Sequence, residues 1–590
     1  MCGIAGIVSR DKNFDFGQIE KFDRYLKRRG PDDRGSLKME NCCFFHRRLS
    51  IVDLSLRGRQ PFLNENGTIM SICNGEIYNY KKLRKKLVLK GHRLRSFSDN
   101  EVLVHLYEEY GEKFIDYVEG EFAMAIWDNA EKKLLIFRDR FGVKPVYYLK
   151  KSKTFFFSSD FASLADNFVP KREIDIEALN HFVIFRYVPA PDTIIKGIKK
   201  LPGGCYLRIR SGSVELIRYH HLLYNIKKIS EAKAVQELRK KISSAVQSRL
   251  MSDVPLGVFL SGGIDSSILV SEMHDLGIRK IKTYSIGFQN EKNETSNEFY
   301  FSDIIAKKFK TDHRKIVMSE DDFYDSLDEW IEAMGEPIGA PAAVSLFWLS
   351  RIASREVKVI LNGQGADENF GGYEWYKIMR KMFDFDHAPS QFLEYYAGIK
   401  EFEKNRLLND SFRRYDVSLR KVKEVYKSYV NSGQRDGLSA TCHLDFHFGL
   451  PEVGLKEVDA VSMHFGLESR VPYLDCDLVN FCCMLPENLK IRALNEKYIL
   501  KKANRKKLPE EILGRKKLGF PVPVATWYQA KMGKMIKETL LSKHSLARGI
   551  FNEEELRKFL YQEERSSDCS RNKTFRFFVL ELWMRRFMDS

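Results

Sequence analysis

Apolar positions recur with two different spacings along this chain of 590 residues. In roughly the first 210 residues, short alternating or fully apolar runs are separated by turns, and this pattern predicts strands. Helical spacing is confined there to stretches near 16–29 and 99–110. The first part of the chain is therefore predicted to be a strand-rich α+β domain. Its predicted strands are 3–9, 68–77, 122–128, 134–139 and 154–159.

A second pattern begins after residue 225, where short apolar runs alternate with helical stretches. Such alternation predicts a parallel, doubly wound α/β sheet. The segment 208–230 is basic and without a clear period, so we predict domains at 1–210 and 225–590. Beyond about residue 375 the chain is mostly helical and charged. Predicted strands are 254–260, 282–288 and 357–361, and predicted helices are 265–277 and 296–310.

Composition narrows the protein class. Apolar residues make up 44% and charged residues 30% of the chain, which is typical of globular proteins and excludes disordered or collagen-like ones. No run of 18 apolar residues and no leader-like amino terminus is present, so we expect no membrane insertion. Ten cysteines show no zinc-binding spacing and fit a reducing compartment, which predicts a cytoplasmic protein.

The net charge of +17 is compatible with a polyanionic partner or an acidic substrate. The simpler interpretation is a solvated basic surface, as many enzymes have. We therefore expect small-molecule substrates and no nucleic acid, and a homodimer is compatible with the sequence.

The amino terminus offers a nucleophile. Removal of Met1 leaves Cys2 with a free α-amine, whose pKa of about 7.7–8.0 lets it accept the thiol proton near neutral pH. Taken alone, Cys2 is better explained as a buried cysteine at the start of an edge strand. Its importance depends on the groups that accompany it.

Those groups suit the hydrolysis of an amino-acid amide. The Asn74 amide and the Gly75 N–H directly follow residues 68–73 of a predicted strand, and we expect them on one turn, where they supply two donors for an oxyanion. Glu76 and Asp99 offer carboxylates to an ammonium group, and Arg48 offers a guanidinium to a carboxylate. Each of these segments, considered separately, is better explained as a surface loop.

A second group of residues suits phosphate. Ser261-Gly262-Gly263-Ile264-Asp265-Ser266-Ser267 links an apolar strand to a helix, so backbone N–H groups, hydroxyls and the helix dipole favour an anion there. The segment lacks the GxxxxGK[ST] pattern of γ-phosphate loops. Asp265 at a phosphate site implies a bridging cation such as Mg²⁺, and Asp367 after a later strand offers a second carboxylate.

Five motifs in the first 200 residues resemble the glutaminase domain of class II glutamine amidotransferases: MCGI, RGPD, RLSIVD, NGEIYN and SDxE. The SGGIDSS segment resembles the loop of ATP pyrophosphatases, which adenylate a substrate. With the late motifs at 458–463 and 468–475, nearly the whole chain resembles the glutamine-hydrolysing asparagine synthetases. This resemblance implies a glutaminase sandwich of the N-terminal-nucleophile type, an α/β synthetase domain, and the cofactors ATP and Mg²⁺.

The resemblance also implies roles for individual residues. Cys2 is then the nucleophile, Asn74 and Gly75 form the oxyanion hole, and Lys517 neutralises pyrophosphate and the acyl-adenylate. Glutamine is held by Arg48, Asn74, Glu76 and Asp99, and Mg²⁺ by Asp265 and Asp367. ATP is bound by Leu260, Ser261, Gly262, Gly263, Asp265, Ser266, Ile286, Asn362, Gly363 and Gln364.

Several positions depart from the family pattern. Arg28 replaces a histidine, Ala460 replaces an arginine, and Gln364 stands where the family has a glutamate. Segment 336–343 is apolar where some asparagine synthetases place threonines and an arginine against aspartate. Three hypotheses follow: asparagine synthesis, amidation of another carboxylate such as a uronic acid, and a non-enzymatic scaffold. The scaffold predicts loss of Cys2 or of the loop, and both are intact.

Overall fold

The computed structural model describes residues 2–289, 298–515, 522–565 and 572–589. Lys517 lies outside the described residues, so its predicted role stays a prediction. No helix in these ranges combines the length and the apolar composition needed to cross a membrane.

The first part of the chain forms two six-stranded antiparallel sheets. Apolar side chains of both sheets share one buried cluster that includes Ile4, Phe44, Ile72 and Trp127, so the sheets pack as a sandwich. Their strands are β1 (Gly3–Ser9), β2 (Asp33–Met39), β3 (Cys42–Arg48), β4 (Phe62–Leu63), β5 (Ile69–Ile77), β6 (Gly120–Asp128), β7 (Lys133–Arg138), β8 (Tyr147–Lys151), β9 (Thr154–Ser158), β10 (Ile198–Lys200), β11 (Cys205–Arg210) and β12 (Ser213–Arg218). The sheet orders are β10-β8-β9-β1-β3-β2 and β12-β11-β7-β6-β5-β4. The α-helices of this part are Asp23–Leu26, Tyr80–Leu89, Val102–Tyr110, Phe161–Phe168 and Ile176–Phe185.

The second part contains a five-stranded parallel sheet of order β15-β14-β13-β16-β17. Its strands are β13 (Leu256–Phe259), β14 (Lys282–Phe288), β15 (Asp312–Met318), β16 (Val359–Leu361) and β17 (Glu468–Arg470). The α-helices around it are Glu231–Arg249, Ile264–Asp275, Phe299–Phe309, Glu320–Asp325, Leu327–Met334, Ala342–Ala353 and Ala366–Phe370. The remaining α-helices are Glu374–Met382, Ala388–Tyr396, Glu401–Leu407, Val417–Val430, Gly437–His447, Lys456–Met463, Cys476–Met484, Glu487–Lys490, Tyr498–Asn504, Glu510–Gly514, Val524–Trp527, Gly533–Leu540, Lys543–Ala547, Glu553–Arg565 and Asn572–Phe587.

The predicted fold class is confirmed in both parts, with local differences. The sequence pattern missed β15, because four of its seven residues are charged or histidine and most of them are not buried. It also missed β17, whose polar residues are buried against the sandwich. The predicted helix at 16–29 is a 3-10 helix, Phe16–Phe22, followed by the single turn Asp23–Leu26. Segment 208–230 contains β12, a half-exposed edge strand paired with β11.

Candidate active site

Cys2 lies at the start of β1, with only 5% of the residue exposed. Its backbone N donates to Asn74 Oδ1 at 3.1 Å, which joins the amino terminus to β5. Burial raises the pKa of the Cys2 thiol, although the backbone N–H of Leu49 opposes the shift. The thiol therefore needs a base to become a thiolate, and the nearby backbone nitrogen of Cys2 is placed to become one if Met1 is removed.

Asn74 and Gly75 lie near the end of β5. Nδ2 of Asn74 is buried and has no hydrogen-bond acceptor among the described residues, so this N–H donor is available to a ligand. Gly75 has φ +152, and a Cβ there would lie 2.1 Å from the Glu121 carbonyl oxygen. Only glycine fits this position. Asn74 thus contacts Cys2, and both Asn74 and Gly75 lie inside β5 rather than on a turn after the strand as the sequence predicts.

Two buried carboxylates flank this site. Burial raises the pKa of Glu76, and the neighbouring Asp99 and Glu468 carboxylates raise it further. Burial also raises the pKa of Asp99, whose Oδ2 accepts from the Ile77 N–H at 2.7 Å. A cationic ligand stabilises the ionised form of such buried carboxylates, because an ammonium group offsets the free-energy cost of their desolvation.

Arg48 is buried at the end of β3, with 5% of the residue exposed. Its guanidinium donates to the Ser55 carbonyl at 2.7 Å and to the Val52 carbonyl at 3.3 Å, and it also contacts the Asp53 carbonyl. These contacts fix the guanidinium against the 52–55 loop. The loop therefore orients the cation that the sequence predicts for the glutamine carboxylate.

The phosphate-binding segment joins β13 to the helix Ile264–Asp275. Gly262 has φ +66, and a Cβ there would lie 2.5 Å from Phe301 Cβ, so the turn requires glycine. Ser261 Oγ accepts from the Gly263 N–H at 3.2 Å. Asp265 occupies the first helical turn, where the helix dipole and the backbone N–H groups favour an anion.

Lys497 links the two predicted metal ligands. Its Nζ lies 2.6 Å and 2.7 Å from the two carboxylate oxygens of Asp265 and 2.6 Å from Asp367 Oδ1. The Lys497 side chain is only 3% exposed. Lys497 is not predicted from the sequence, because nothing in segment 495–502 distinguishes it from the neighbouring lysines 501 and 502. Its convergence with the two aspartates exists only in the folded chain.

A cavity of 220 Å³ adjoins these groups at the carboxyl ends of β13, β14 and β16, where nucleotides bind in open α/β sheets. Gly363 lies so close to the loop that a Cβ would be 2.9 Å from Asp265 Cβ. Gly262 lies in the loop beside this cavity, and Gly263 lines a smaller adjoining one. Predicted residues that line the larger cavity are Leu260, Ser261, Asp265, Ser266, Ile286, Asn362, Gly363, Gln364 and Asp367.

The positions that depart from the family pattern lie in different parts of the structure. Gln364 lines the cavity, and its N–H donates to Asn362 Oδ1 at 2.9 Å. Ile338 and Ala340 are buried, and a Cβ on Gly339 would meet Arg576 Cβ at 2.5 Å. Segment 336–343 therefore packs inside the protein and does not line this cavity, although Leu346 and Leu349 of the following helix do.

Buried charges connect the sandwich to the parallel sheet. Arg470 of β17 is fully buried, pairs with Glu468, and lies 3.6 Å from Glu76. Lys144 Nζ donates to the Ser469 carbonyl at 2.9 Å. At a second point, Arg29 pairs with Asp459 at 2.9 Å. No sequence motif predicts this network, which brings the second part of the chain into contact with the predicted glutamine pocket.

Two family models match the two parts of the chain. A model of the glutamine amidotransferase domain matches residues 1–220, and the asparagine synthase model matches residues 237–585. Asparagine synthetase (glutamine-hydrolyzing) 1 of Bacillus subtilis is 32% identical over 580 residues, covering 92% of this chain and 90% of the relative. Asparagine synthetase (glutamine-hydrolyzing) 3 of the same organism is 32% identical over 596 residues, covering 95% and 94%. A putative asparagine synthetase of Mycobacterium bovis is 29% identical over 589 residues, covering 90% and 89%. The chain thus belongs to the asparagine synthase family and is a glutamine-dependent carbon–nitrogen ligase that uses ATP.

Proposed function

We propose that the chain hydrolyses glutamine at Cys2 and uses the ammonia to convert an adenylated carboxylate into an amide. The products are the amide, AMP, pyrophosphate and glutamate. The observation that carries the proposal is the convergence of Asp265, Asp367 and Lys497 beside the serine-glycine loop, in a chain that also places Asn74 next to Cys2.

In the glutaminase half-reaction, the α-amine of a processed Cys2 accepts the thiol proton, and the thiolate attacks the side-chain amide of glutamine. Asn74 Nδ2 and the Gly75 N–H stabilise the oxyanion, because both donors are already in position before the charge forms. Arg48 holds the α-carboxylate, while Glu76 and Asp99 hold the α-ammonium. Ammonia leaves and water hydrolyses the glutamyl thioester.

In the synthetase half-reaction, the loop N–H groups bind the ATP phosphates and the acceptor carboxylate attacks the α-phosphate. Asp265 and Asp367 suit Mg²⁺, because their hard oxygen ligands converge on one point, where they share the ammonium of Lys497. When bound, Mg²⁺ would neutralise phosphate charge. Lys497 supplies one cation to this site, and Lys517 is proposed to supply another to the departing pyrophosphate.

Two acceptors compete. Family membership favours aspartate and hence asparagine synthesis. Gln364 favours a different acceptor, because a neutral amide replaces a carboxylate and no lysine or arginine lines the described part of the 220 Å³ cavity. A second carboxylate on the acceptor would find no partner there. We therefore propose a monocarboxylate, such as a uronic acid, as the alternative to free L-aspartate.

A pyrophosphate-release assay with saturating ATP and glutamine separates these acceptors. A kcat/KM for L-aspartate of about 10⁴ M⁻¹s⁻¹ or more, ordinary for an enzyme on its own substrate, would establish asparagine synthesis and refute the alternative. A higher kcat/KM for uronic acids than for L-aspartate would support the monocarboxylate as the acceptor. The Cys2→Ala variant is the internal control, since it should lose glutamine-dependent synthesis and keep synthesis from ammonium salts. Failure of every carboxylate with the wild-type enzyme would contradict the amidation itself.

We further propose that the domain limits 1–210 and 225–590 divide these two half-reactions, and that the enzyme works in the cytoplasm. A homodimer without nucleic acid is the proposed state in solution. Sedimentation of the purified chain with and without added RNA tests the dimeric state and the absence of RNA binding.

A further inference from the structure

Four side chains that take no part in the glutamine or ATP sites meet at the edge of the sandwich. Glu65 lies in the turn between β4 and β5, and His92 follows the helix Tyr80–Leu89. His105 and Glu108 are three residues apart on the helix Val102–Tyr110 and share one of its faces. One nitrogen or oxygen from each of the four lies within 4.8 Å of the others.

The spacing of these atoms matches a small metal centre. Glu65 Oε1 lies 3.3 Å from His92 Nδ1, and Glu65 Oε2 lies 3.2 Å from His105 Nδ1. Glu108 Oε2 lies 3.9 Å from the same His92 nitrogen. Tetrahedral coordination with bonds of about 2.0–2.1 Å places ligand atoms roughly 3.3–3.4 Å apart. The two shorter separations fall close to this value.

His105 points to a ligand independently of the spacing. It is 1% exposed, and neither ring nitrogen has a hydrogen-bond partner among the described residues. A neutral imidazole offers a cation the lone pair of one ring nitrogen. A buried ring with no hydrogen bond is unfavourable. A cation bound between Nδ1 and the Glu65 carboxylate would remove that cost.

His92 is oriented as a metal-binding histidine would be. Its Nε2 lies 3.1 Å from Glu109 Oε1, and Glu109 is in turn paired with Lys90. If Nε2 carries the proton and donates it to Glu109, Nδ1 directs a lone pair at Glu65 and Glu108. Carboxylates commonly fix the ring of a metal-bound histidine in this way.

We propose that Glu65, His92, His105 and Glu108 form a binding site for a divalent transition metal, with Zn²⁺ the best match. Two imidazoles and two carboxylates suit Zn²⁺, whereas Mg²⁺ and Ca²⁺ prefer oxygen ligands alone. Four protein ligands leave no open position, which is the arrangement of a structural site. The bound metal joins the turn before β5 to the helix that follows Asp99, so it braces two elements of the glutamine pocket.

The competing interpretation is an ionic cluster in which a protonated His92 bridges Glu65 and Glu109. The two interpretations are distinguished with tag-free full-length protein, stripped with a chelator and titrated with Zn²⁺ against a chromogenic competitor. We expect one Zn²⁺ per chain, and Co²⁺ in its place should give the visible absorption of a tetrahedral centre. Glu109→Ala should weaken Zn²⁺ binding by about 10- to 100-fold, and His92→Gln and Glu108→Gln by more.

Two further variants serve as controls. His387→Gln removes an exposed histidine elsewhere, and Cys2→Ala excludes chelation by the terminal thiol and amine, so both should bind Zn²⁺ like wild type. Zn²⁺ should raise the midpoint of thermal unfolding of the wild type and not that of His92→Gln. Absence of stoichiometric binding by wild type, or unchanged affinity in both His92→Gln and Glu108→Gln, would overturn the proposal. The Glu108 side chain is 31% exposed, whereas that of His92 is only 9% exposed, so Glu108→Gln decides the question even if a variant of either histidine does not fold.

Discussion

Lys497→Met tests whether one buried ammonium serves both ATP-site aspartates. Methionine keeps the apolar stem of the side chain and removes the charge that lies 2.6 Å from both Asp265 and Asp367. Removing one partner from a buried ion pair costs about 3–5 kcal/mol. If the loss falls on the transition state, each 1.36 kcal/mol is about tenfold in rate, so adenylation should slow by about 10²–10⁴.

The assay follows pyrophosphate release with saturating ATP and ammonium chloride as nitrogen source, and glutamate formation is measured separately. Glutamine hydrolysis should be unchanged, because Lys497 contacts the ATP-site aspartates and not the Cys2 site. Lys502→Met is the matched control. Lys502 is 47% exposed and pairs with Glu231, so its removal should change neither rate appreciably.

The same variant should also respond differently to Mg²⁺. Without the ammonium, the carboxylates of Asp265 and Asp367 repel each other more strongly. A bound divalent cation removes this repulsion, so it should stabilise the variant more than the wild type. Addition of Mg²⁺ should raise the thermal midpoint of Lys497→Met more than that of wild type. Pyrophosphate release within tenfold of wild type by a folded Lys497→Met protein would refute this account of the site.

Three other predictions concern the glutamine pocket. Asn74→Ala should lower the rate of glutamine hydrolysis by about 10²–10³ without changing ammonia-dependent synthesis; equal glutamate formation in both proteins would contradict it. Because burial raises the pKa of Asp99 above the usual Asp value of about 3.9, its protonated form stabilises the fold at low pH, and this contribution is lost as the pH rises through the raised pKa. Ammonium binding needs the ionised form, so kcat/KM for glutamine should fall on acidification while the pH is still above 3.9. Asp99→Asn should shift this fall to lower pH, because the Asp99 carboxylate also raises the pKa of Glu76; an unchanged pH profile would count against it. Arg470→Met should lower the free energy of unfolding in urea by about 3–5 kcal/mol, and a change below about 1 kcal/mol would show that the buried pair is not needed.

Functional residues that are neighbours in the chain could be predicted from the sequence. Ser261–Ser266 connect one strand to the next helix and Asn74–Glu76 are consecutive residues of β5, so the chemistry of each segment is encoded in a few adjacent residues. Lys497 is different, because it reaches Asp265 across 232 positions of sequence. Its partners could not be predicted without the tertiary fold.

The missed strands have the same cause. Strand prediction relies on apolar alternation, which assumes that water lies on one side and the core on the other. In β17 all three residues are buried although two of them are charged, because Arg470 pairs with Glu468 of the same strand and lies 3.6 Å from Glu76 of the sandwich. The opposite error concerns segment 336–343, whose apolar pattern was interpreted as part of the acceptor site. Its apolar character reflects interior packing and does not describe an acceptor pocket.

The buried pairs between the two halves have a consequence for modularity. Glu76, Arg29 and Lys144 of the sandwich are neutralised or hydrogen-bonded by Arg470, Asp459 and the Ser469 carbonyl. Cutting the chain near residue 220 would separate these charged side chains from their partners in the other half and expose them to water. Neither half is then an autonomous unit, and a chimera that takes its glutaminase from a relative must exchange both sides of these contacts together. Evolution of one half is constrained in the same way, since a change on one side of the boundary needs a compensating change on the other.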